Sequence, residues 1–407
     1  MLQLESFFLH TNQCTELRAM ASLRALVSGY GPRVHVVEIT VPADELPIVR
    51  VLEQSSPAGE HPSYIAYAVT AGGAPRVYAV DELKPMGAVA AYAADPSTGA
   101  LACAGPFVPS AGADPCHVCV HPRGHALYVS NYSGGGISVH ALDASTGELH
   151  AAPLQVFEPG AHAHHVVLNS GGTRAFIAVL GSDAIFEYIV AADGTLSEAA
   201  PAVRLPPGSG PRHLALCEAR GFAVSINELD CTLSLLQLDM SASGSANALT
   251  LVATVSSLPP GTARAAGFST AHVAISPDGR FVYGSNRGHN SIGVWRAIDL
   301  LESSAGSGGV RLEPVEWQGG GGRTWDAAGT ELSSSCPAAR LTPALSKPRD
   351  FSLSPDAGAR FLLCASQLSD TLTLFERDAA TGALRAVAGA TLPAGAAPTC
   401  VIFPSWL

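Results

Sequence analysis

Two arginines, one glutamate and a run of histidines stand in short polar interruptions of an otherwise apolar chain. Arg212 and His213 lie in "GPRH", Asn227 and Glu228 in "INEL", and Asn286, Arg287 and His289 in "SNRGH". His164 and His165 close "HAHH", His117 and His272 hold like positions in "PCHV" and "TAHV", and Arg349 stands in "KPRD". Asn131 and Tyr132 in "SNY" and Gln367 in "SQL" complete the set. Guanidinium groups hold anions through a planar fork. Imidazoles accept and release protons near neutral pH. Two or more arginines with histidines and one carboxylate therefore suit an anion pocket that also moves a proton. A single histidine at a strand start would more simply satisfy backbone groups between sheets. Only convergence in space makes these residues a site.

Seven short apolar strand starts can be aligned: "PSYIAY", "PCHVCVHP", "AHHVVLNS", "PRHLALCE", "TAHVAISPDG", "PRDFSLSPD" and "PTCVIFP". Their equivalent residues are Tyr64, His117, His165, His213, His272, Asp350 and Cys400, at intervals of 53, 48, 48, 59, 78 and 50. Most intervals approach the roughly 40–50 residues of a four-stranded propeller blade. Six starts lead into a second strand, a polar break and a third strand, as in "ALYVSNYSGGGISVHALD". "STGAL", "STGEL" and "ATGAL" mark turns into a fourth. The start at Cys400 has room for one strand only, and "RALVSGYGPRVHVVEI" near the N-terminus has the form of the missing ones. Pairing the two ends would close the ring and remove its free edges. The expectation is an all-β, seven-bladed propeller over residues 20–407, preceded by a disposable extension at 1–19. An inserted loop at 319–347 accounts for the 78-residue interval.

In an up-and-down blade the start of the first strand and the end of the second share one face. The strand starts and hairpin breaks then meet around one mouth of the central channel, and Arg287 points into a shared polar bowl. The insertion leaves from the same face and is long enough to cover the bowl as a lid.

Bulk properties narrow the function. The 407 residues are 47% apolar and 14% charged, which excludes wholesale disorder. A net charge of −11 argues against nucleic acid and anionic membrane as partners, so an anionic ligand must be drawn by a local positive cluster. No apolar run reaches the length of a membrane helix. Nine cysteines without framework spacing, and no secretory leader pattern, fit reduced thiols and a cytoplasmic location. Cys116 and Cys119 have zinc-like spacing but no second pair. His162 and His164 lack a carboxylate cluster that would complete a metal site. No serine sits in a nucleophile elbow, and neither "GSGPRH" nor "GGGG" is a phosphate loop. No metal or cofactor is expected.

The strings "PCHVCVHPRGHALYVSNYSGG", "HAHHVV", "GPRHLAL", "SINELD", "VAISPDGRFVYGSNRGHNSI" and "KPRDFSLSPD" resemble the seven-bladed propeller lactonase family. That family includes 6-phosphogluconolactonases and carboxy-muconate cycloisomerases. The resemblance implies a catalytic set of His164 (with His165 as the rival in a register that can slip by one), Arg212, Glu228 and Arg287. It implies hydrolysis of 6-phosphogluconolactone in the pentose phosphate pathway, by water attack with His164 as base. The arginines, Arg349 among them, would hold the oxyanion and the substrate's own anion. Cycloisomerisation of a carboxylated muconate would use the same residues, and a non-catalytic binding propeller is the alternative from another class. His117, Asn131, Tyr132, His165, His213, Asn227, His272, Asn286, His289, Arg349 and Gln367 are expected around the substrate. Strand alternation would place His165 opposite His164.

Overall fold

Strands buried along their whole length alternate with strands that face solvent, and this contrast sets the layering. Ala126–Asn131, Arg174–Val179, Phe222–Asn227, Phe281–Arg287 and Phe361–Ser366 are buried at every residue. Strands covered on both faces must lie between packed sheets. Leu149–Phe157, by contrast, is largely exposed, as an outer strand should be. A computed structural model describes residues 21–42, 45–52, 56–241, 247–299, 309–319, 323–332 and 345–407. The expected extension at 1–19 lies outside the described residues.

The strands form seven antiparallel sheets. Their innermost strands are Ile65–Val69, Pro115–Val120, Ala163–Leu168, Pro211–Cys217, Ser269–Ile275, Pro348–Leu353 and Pro398–Ile402, numbered here as blades 1 to 7. Each touches the next, and the last touches the first, so the ring is closed. Blade 7 is the expected splice. Pro398–Ile402 pairs with Ala21–Gly29, Ser28 facing Cys400, and Arg33–Val41 and Ile48–Val51 follow outward.

The sequence repeats have local causes. In the "STGAL"-type turns, Asp95, Asp143 and Asp378 each accept two backbone N–H groups two and three residues on. The following glycine takes a positive φ of 72–78° that other residues adopt at a cost (Gly99, Gly147, Gly382). Two of these turns, and the "ADGTL" turn at Gly194, also latch blade to blade: the Tyr78, Tyr128 and Tyr283 hydroxyls donate to the Gly147, Gly194 and Gly382 carbonyls of the next blade.

Apolar clusters fill the gaps between blades. Leu26, Val34 and Val36 of blade 7 pack with Val77 and Ala79 of blade 1, and Val27 and Val37 pack with Phe361 and Leu363 of blade 6. The N-terminal strands thus seal both sides of the ring. Leu26→Ala, at a fully buried position, is expected to cost about 2–5 kcal/mol. Denaturant unfolding with both fluorescence and circular dichroism checks this. A loss confined to a local step would contradict the splice.

The insertion differs from the expected loop. Thr324–Asp326 and Glu331–Leu332 add two strands to the outer edge of blade 5, after Val310–Gly319. Trp325 anchors this extension against Trp317 and His289. Residues 320–322 and 333–344, on which the lid expectation falls, lie outside the described residues.

Candidate active site at one mouth of the channel

One extra residue interrupts the start of six of the seven inner strands. Ladder pairing skips Cys116, His164, Arg212, Arg349 and Thr399, and blade 5 has the same irregularity between Thr270 and Val273. Each is a β-bulge, which breaks side-chain alternation and re-aims the extra residue. The bulge residues form an upper layer at the mouth. The residues just after them form a second layer beneath.

The upper layer carries the charges. Glu228, at the hairpin break of blade 4, meets two arginines with one oxygen: Oε2 lies 2.9 Å from Arg212 Nε and 2.8 Å from Arg287 Nη2. The blade 5 bulge frees two carbonyls for the same pair. Arg212 Nη1 donates to the Ala271 carbonyl at 2.7 Å, and Arg287 Nη2 donates to the Thr270 carbonyl at 2.5 Å. Both guanidiniums are buried and fixed from two directions. Burial pulls Arg287 down to about 10, with Glu228 opposing, so it stays charged at neutral pH. Burial would raise Glu228, but Arg287, Arg212 and Arg349 outweigh it and hold the carboxylate low.

Arg349 stands at the start of blade 6, the blade next to Arg287. Its guanidinium lies 5.2 Å from the Tyr30 ring centre, and Nη1 donates to Gln367 Oε1 at 3.3 Å. The Tyr30 hydroxyl donates to Glu82 Oε1 at 2.9 Å. Lys347 shares this field: burial, then Arg349 and Arg287, lower its pKa. Four cationic side chains (Arg212, Arg287, Arg349, Lys347) thus face two carboxylates (Glu228, Glu82), leaving two positive charges over. This is the local cluster that a chain of net charge −11 needs to hold an anion.

His164 completes the mouth. It is 4% exposed, and its Nδ1 has no hydrogen-bond partner among the described residues. Burial first, then Arg212 and Arg349, hold its pKa well below 6.5, so the ring is a neutral base at pH 7. Tyr132 walls it at 5.7 Å between ring centres and stacks on His162 at 4.4 Å.

The second layer is a floor. Tyr64, His117, His165 and His213 follow one another around the channel with ring centres 4.5, 4.2 and 4.4 Å apart. His272 continues at 5.1 Å, and Tyr64 closes across to His213 at 6.0 Å. Burial lowers all four imidazoles, His117 to about 3. The mouth is therefore a floored bowl.

Several expectations change. His165 does not alternate to the opposite face of His164; the bulge sends both toward the channel at different depths, 5.3 Å and 4.4 Å from His213. His117, His165, His213 and His272 belong to the floor. Asn131, Asn227 and Asn286 are fully buried, with amides donating to Ser110 O, to the Thr232 and Ser234 hydroxyls, and to Ser257 O. These bonds hold the hairpins, while Asn131 Oδ1 has no hydrogen-bond partner among the described residues. His289 turns away, 2.8 Å from the Ser291 hydroxyl and flanked by Phe268 and Trp325. Tyr30, Glu82, Lys347 and His162 were not expected as mouth residues. Tyr30 and Glu82 follow the second strands of blades 7 and 1, where the hairpin-break rule would have found them.

A family model described as "Lactonase, 7-bladed beta-propeller" matches residues 44–301 and 338–403. An uncharacterized protein of Lactococcus lactis subsp. cremoris is 32% identical over 131 residues, 32% of this chain and 28% of that protein. A 6-phosphogluconolactonase of Formosa agariphila is 28% identical over 121 residues, 29% of this chain and 25% of that protein. The matched stretches span little more than a quarter of these relatives' length. A Bacteroides uniformis crystal structure, provisionally named a 6-phosphogluconolactonase, superposes with TM-score 0.73 at 25% identity, covering 94% of this chain and 99% of that one. The periplasmic gluconolactonase of Pseudomonas aeruginosa superposes with TM-score 0.70 at 24% identity over 94% and 100% of the two chains, a likeness of fold.

Proposed function

We propose, from the premise that this chain belongs to the seven-bladed β-propeller lactonase family, that it hydrolyses a phosphorylated sugar lactone, 6-phosphogluconolactone first. Lactone hydrolysis is the chemistry that the family and the similar proteins support. The observation that carries the finer reading is the surplus of two positive charges beside a neutral imidazole in a floored bowl. Two charges match a phosphate monoester, which is close to dianionic at pH 7.

In this reading water is held against His164, which takes its proton as the oxygen attacks the ring carbonyl. Negative charge gathers on the carbonyl oxygen. Arg212 and Arg287 are already locked by Glu228 and two backbone carbonyls, so stabilising that charge requires little reorganisation. The ring oxygen leaves as an alkoxide and takes up the proton carried by His164, which returns the base. Arg349 and Lys347, on the neighbouring blade, hold the phosphate. A cytoplasmic place in the pentose phosphate pathway belongs to the same reading, and the free cysteines among the described residues are compatible with it.

Initial rates on 6-phosphogluconolactone, gluconolactone and a carboxylated muconolactone, each less its spontaneous opening, test the substrate. The phosphorylated lactone should have the highest kcat/KM. Preference for the muconolactone would move the assignment to cycloisomerase chemistry. Lys347→Ala should raise KM for the phosphorylated substrate about five- to tenfold, with kcat little changed, as expected when ground-state binding is removed. An unchanged KM would take Lys347 out of the phosphate site.

A further inference from the structure

The bulge of blade 4 does more than turn Arg212 into the mouth. Because side-chain alternation is broken there, Arg212 and the next residue, His213, face the channel one above the other. The lower ring reaches the upper guanidinium: Arg212 Nη1 donates to His213 Nε2 at 3.0 Å and to the Ala271 carbonyl at 2.7 Å. Nη1 has two hydrogens, so both are used. A guanidinium only donates, and a neutral imidazole has one bare nitrogen. His213 Nε2 is therefore the bare one, and Nδ1 carries the ring proton. That proton goes to His272 Nδ1, 2.8 Å away. Neighbouring rings pin His213 in this pose, with His165 at 4.4 Å and tilted by 32°, and His272 at 5.1 Å and edge-on at 87°. A flipped ring would set carbons against Arg212 and His272. It would leave a guanidinium N–H without an acceptor where Arg212 is 3% and His213 2% exposed.

We propose that His213 is a positioning residue: it props Arg212 from below as a fixed acceptor, in the Nδ1–H form that this bond imposes, and so takes no part as a base. Both of its nitrogens are occupied, and so is Nδ1 of His272. Burial and the adjacent Arg212 also keep the His213 ring neutral. The prop is particular to blade 4. Arg349, the other arginine on a bulge, is followed by Asp350 and reaches Gln367 at the hairpin break of its own blade. An arginine meant to meet a developing oxyanion gains from such a support, because it need not move when the charge appears. The effect on turnover rests on the lactonase reading; the tautomer does not.

Nitrogen-15 NMR of the histidine-labelled protein at neutral pH reads the tautomer. The His213 signals, identified by their loss in His213→Gln, should show a protonated Nδ1 and a bare Nε2. A proton on Nε2, alone or together with one on Nδ1, would overturn the proposal, since that nitrogen could not accept from Arg212. The kinetic arm uses three substitutions, each checked for fold by circular dichroism. Glutamine places its amide oxygen near the Nε2 position, asparagine reaches only the Nδ1 position, and leucine offers no acceptor. His213→Leu and His213→Asn should lower kcat by about 10–100-fold, the loss of one hydrogen bond to a charged group, with KM moved less than about threefold. His213→Gln should keep at least about fivefold more kcat than either. Equal losses in all three would mean that the packing of the floor matters and the bond to Arg212 does not, and would overturn the proposal. So would a wild-type kcat in His213→Leu. Should the wild type open no lactone, the NMR arm still decides whether His213 is the acceptor, and the failure belongs to the functional reading.

Discussion

His164→Gln is expected to lower kcat on the preferred lactone by about 10²–10⁴-fold, the range for loss of a general base, with KM moved less. Glutamine fills similar space but has no basic nitrogen. The pH profile adds a sharper signature. Burial and the neighbouring arginines lower the His164 pKa, so the deprotonated base persists below pH 6.5. The acid limb of kcat/KM should accordingly lie below 6.5, and activity should hold from pH 7 through that value. The variant's residual activity should lack this limb. His165→Gln is a separate probe, since His165 packs between His117 and His213 in the floor. If His165→Gln abolished activity while His164→Gln kept it, the base would be the deeper ring. If neither mattered, a water held by arginine and Glu228 would be the better candidate.

Arg287→Lys should lower kcat/KM by about 10²–10³-fold, the loss associated with removing one oxyanion donor. The charge is kept, so the effect isolates geometry. Arg287 reaches Glu228 and the Thr270 carbonyl with one nitrogen, leaving the rest of a rigid fork in a fixed direction. A lysine ammonium can satisfy the same two acceptors, but it has no second arm aimed at the bowl. The defect should fall mainly on kcat if the arm serves the developing oxyanion, and on KM if it serves the phosphate. Wild-type constants would remove Arg287 from the reaction.

The blades were legible because burial writes itself into composition. Segments such as Phe222–Asn227 must be apolar throughout to lie between sheets, and Asp143 with Gly147 is a turn with its own chemistry. The splice was legible from arithmetic, since the strand at Cys400 lacked partners and the strand at Leu26 supplied them. The charged half of the mouth followed from the same frame. Side-chain direction within the frame did not. A bulge leaves no mark in composition, so His164 and His165 looked like opposite faces of one strand. At the hairpin breaks, asparagine can turn inward to staple its own loop or outward to a ligand. Asn131, Asn227 and Asn286 turn inward. His289 is drawn aside by Trp325, which the added strands bring to it.

The pairing of Ser28 with Cys400 also sets an order of events during synthesis. At roughly 5–20 residues per second, about 20–75 seconds separate the making of these two partners on the ribosome. Throughout that interval Ala21–Gly29 has an unmet edge, and the sheets of blades 1 to 6 form beside it as an open arc. Nascent chains of this protein therefore expose a pairing-competent strand until the segment around Cys400 has been made. A pause or premature stop just before Pro398–Ile402 would leave a nearly complete ring with a sticky seam, prone to join a second copy edge to edge.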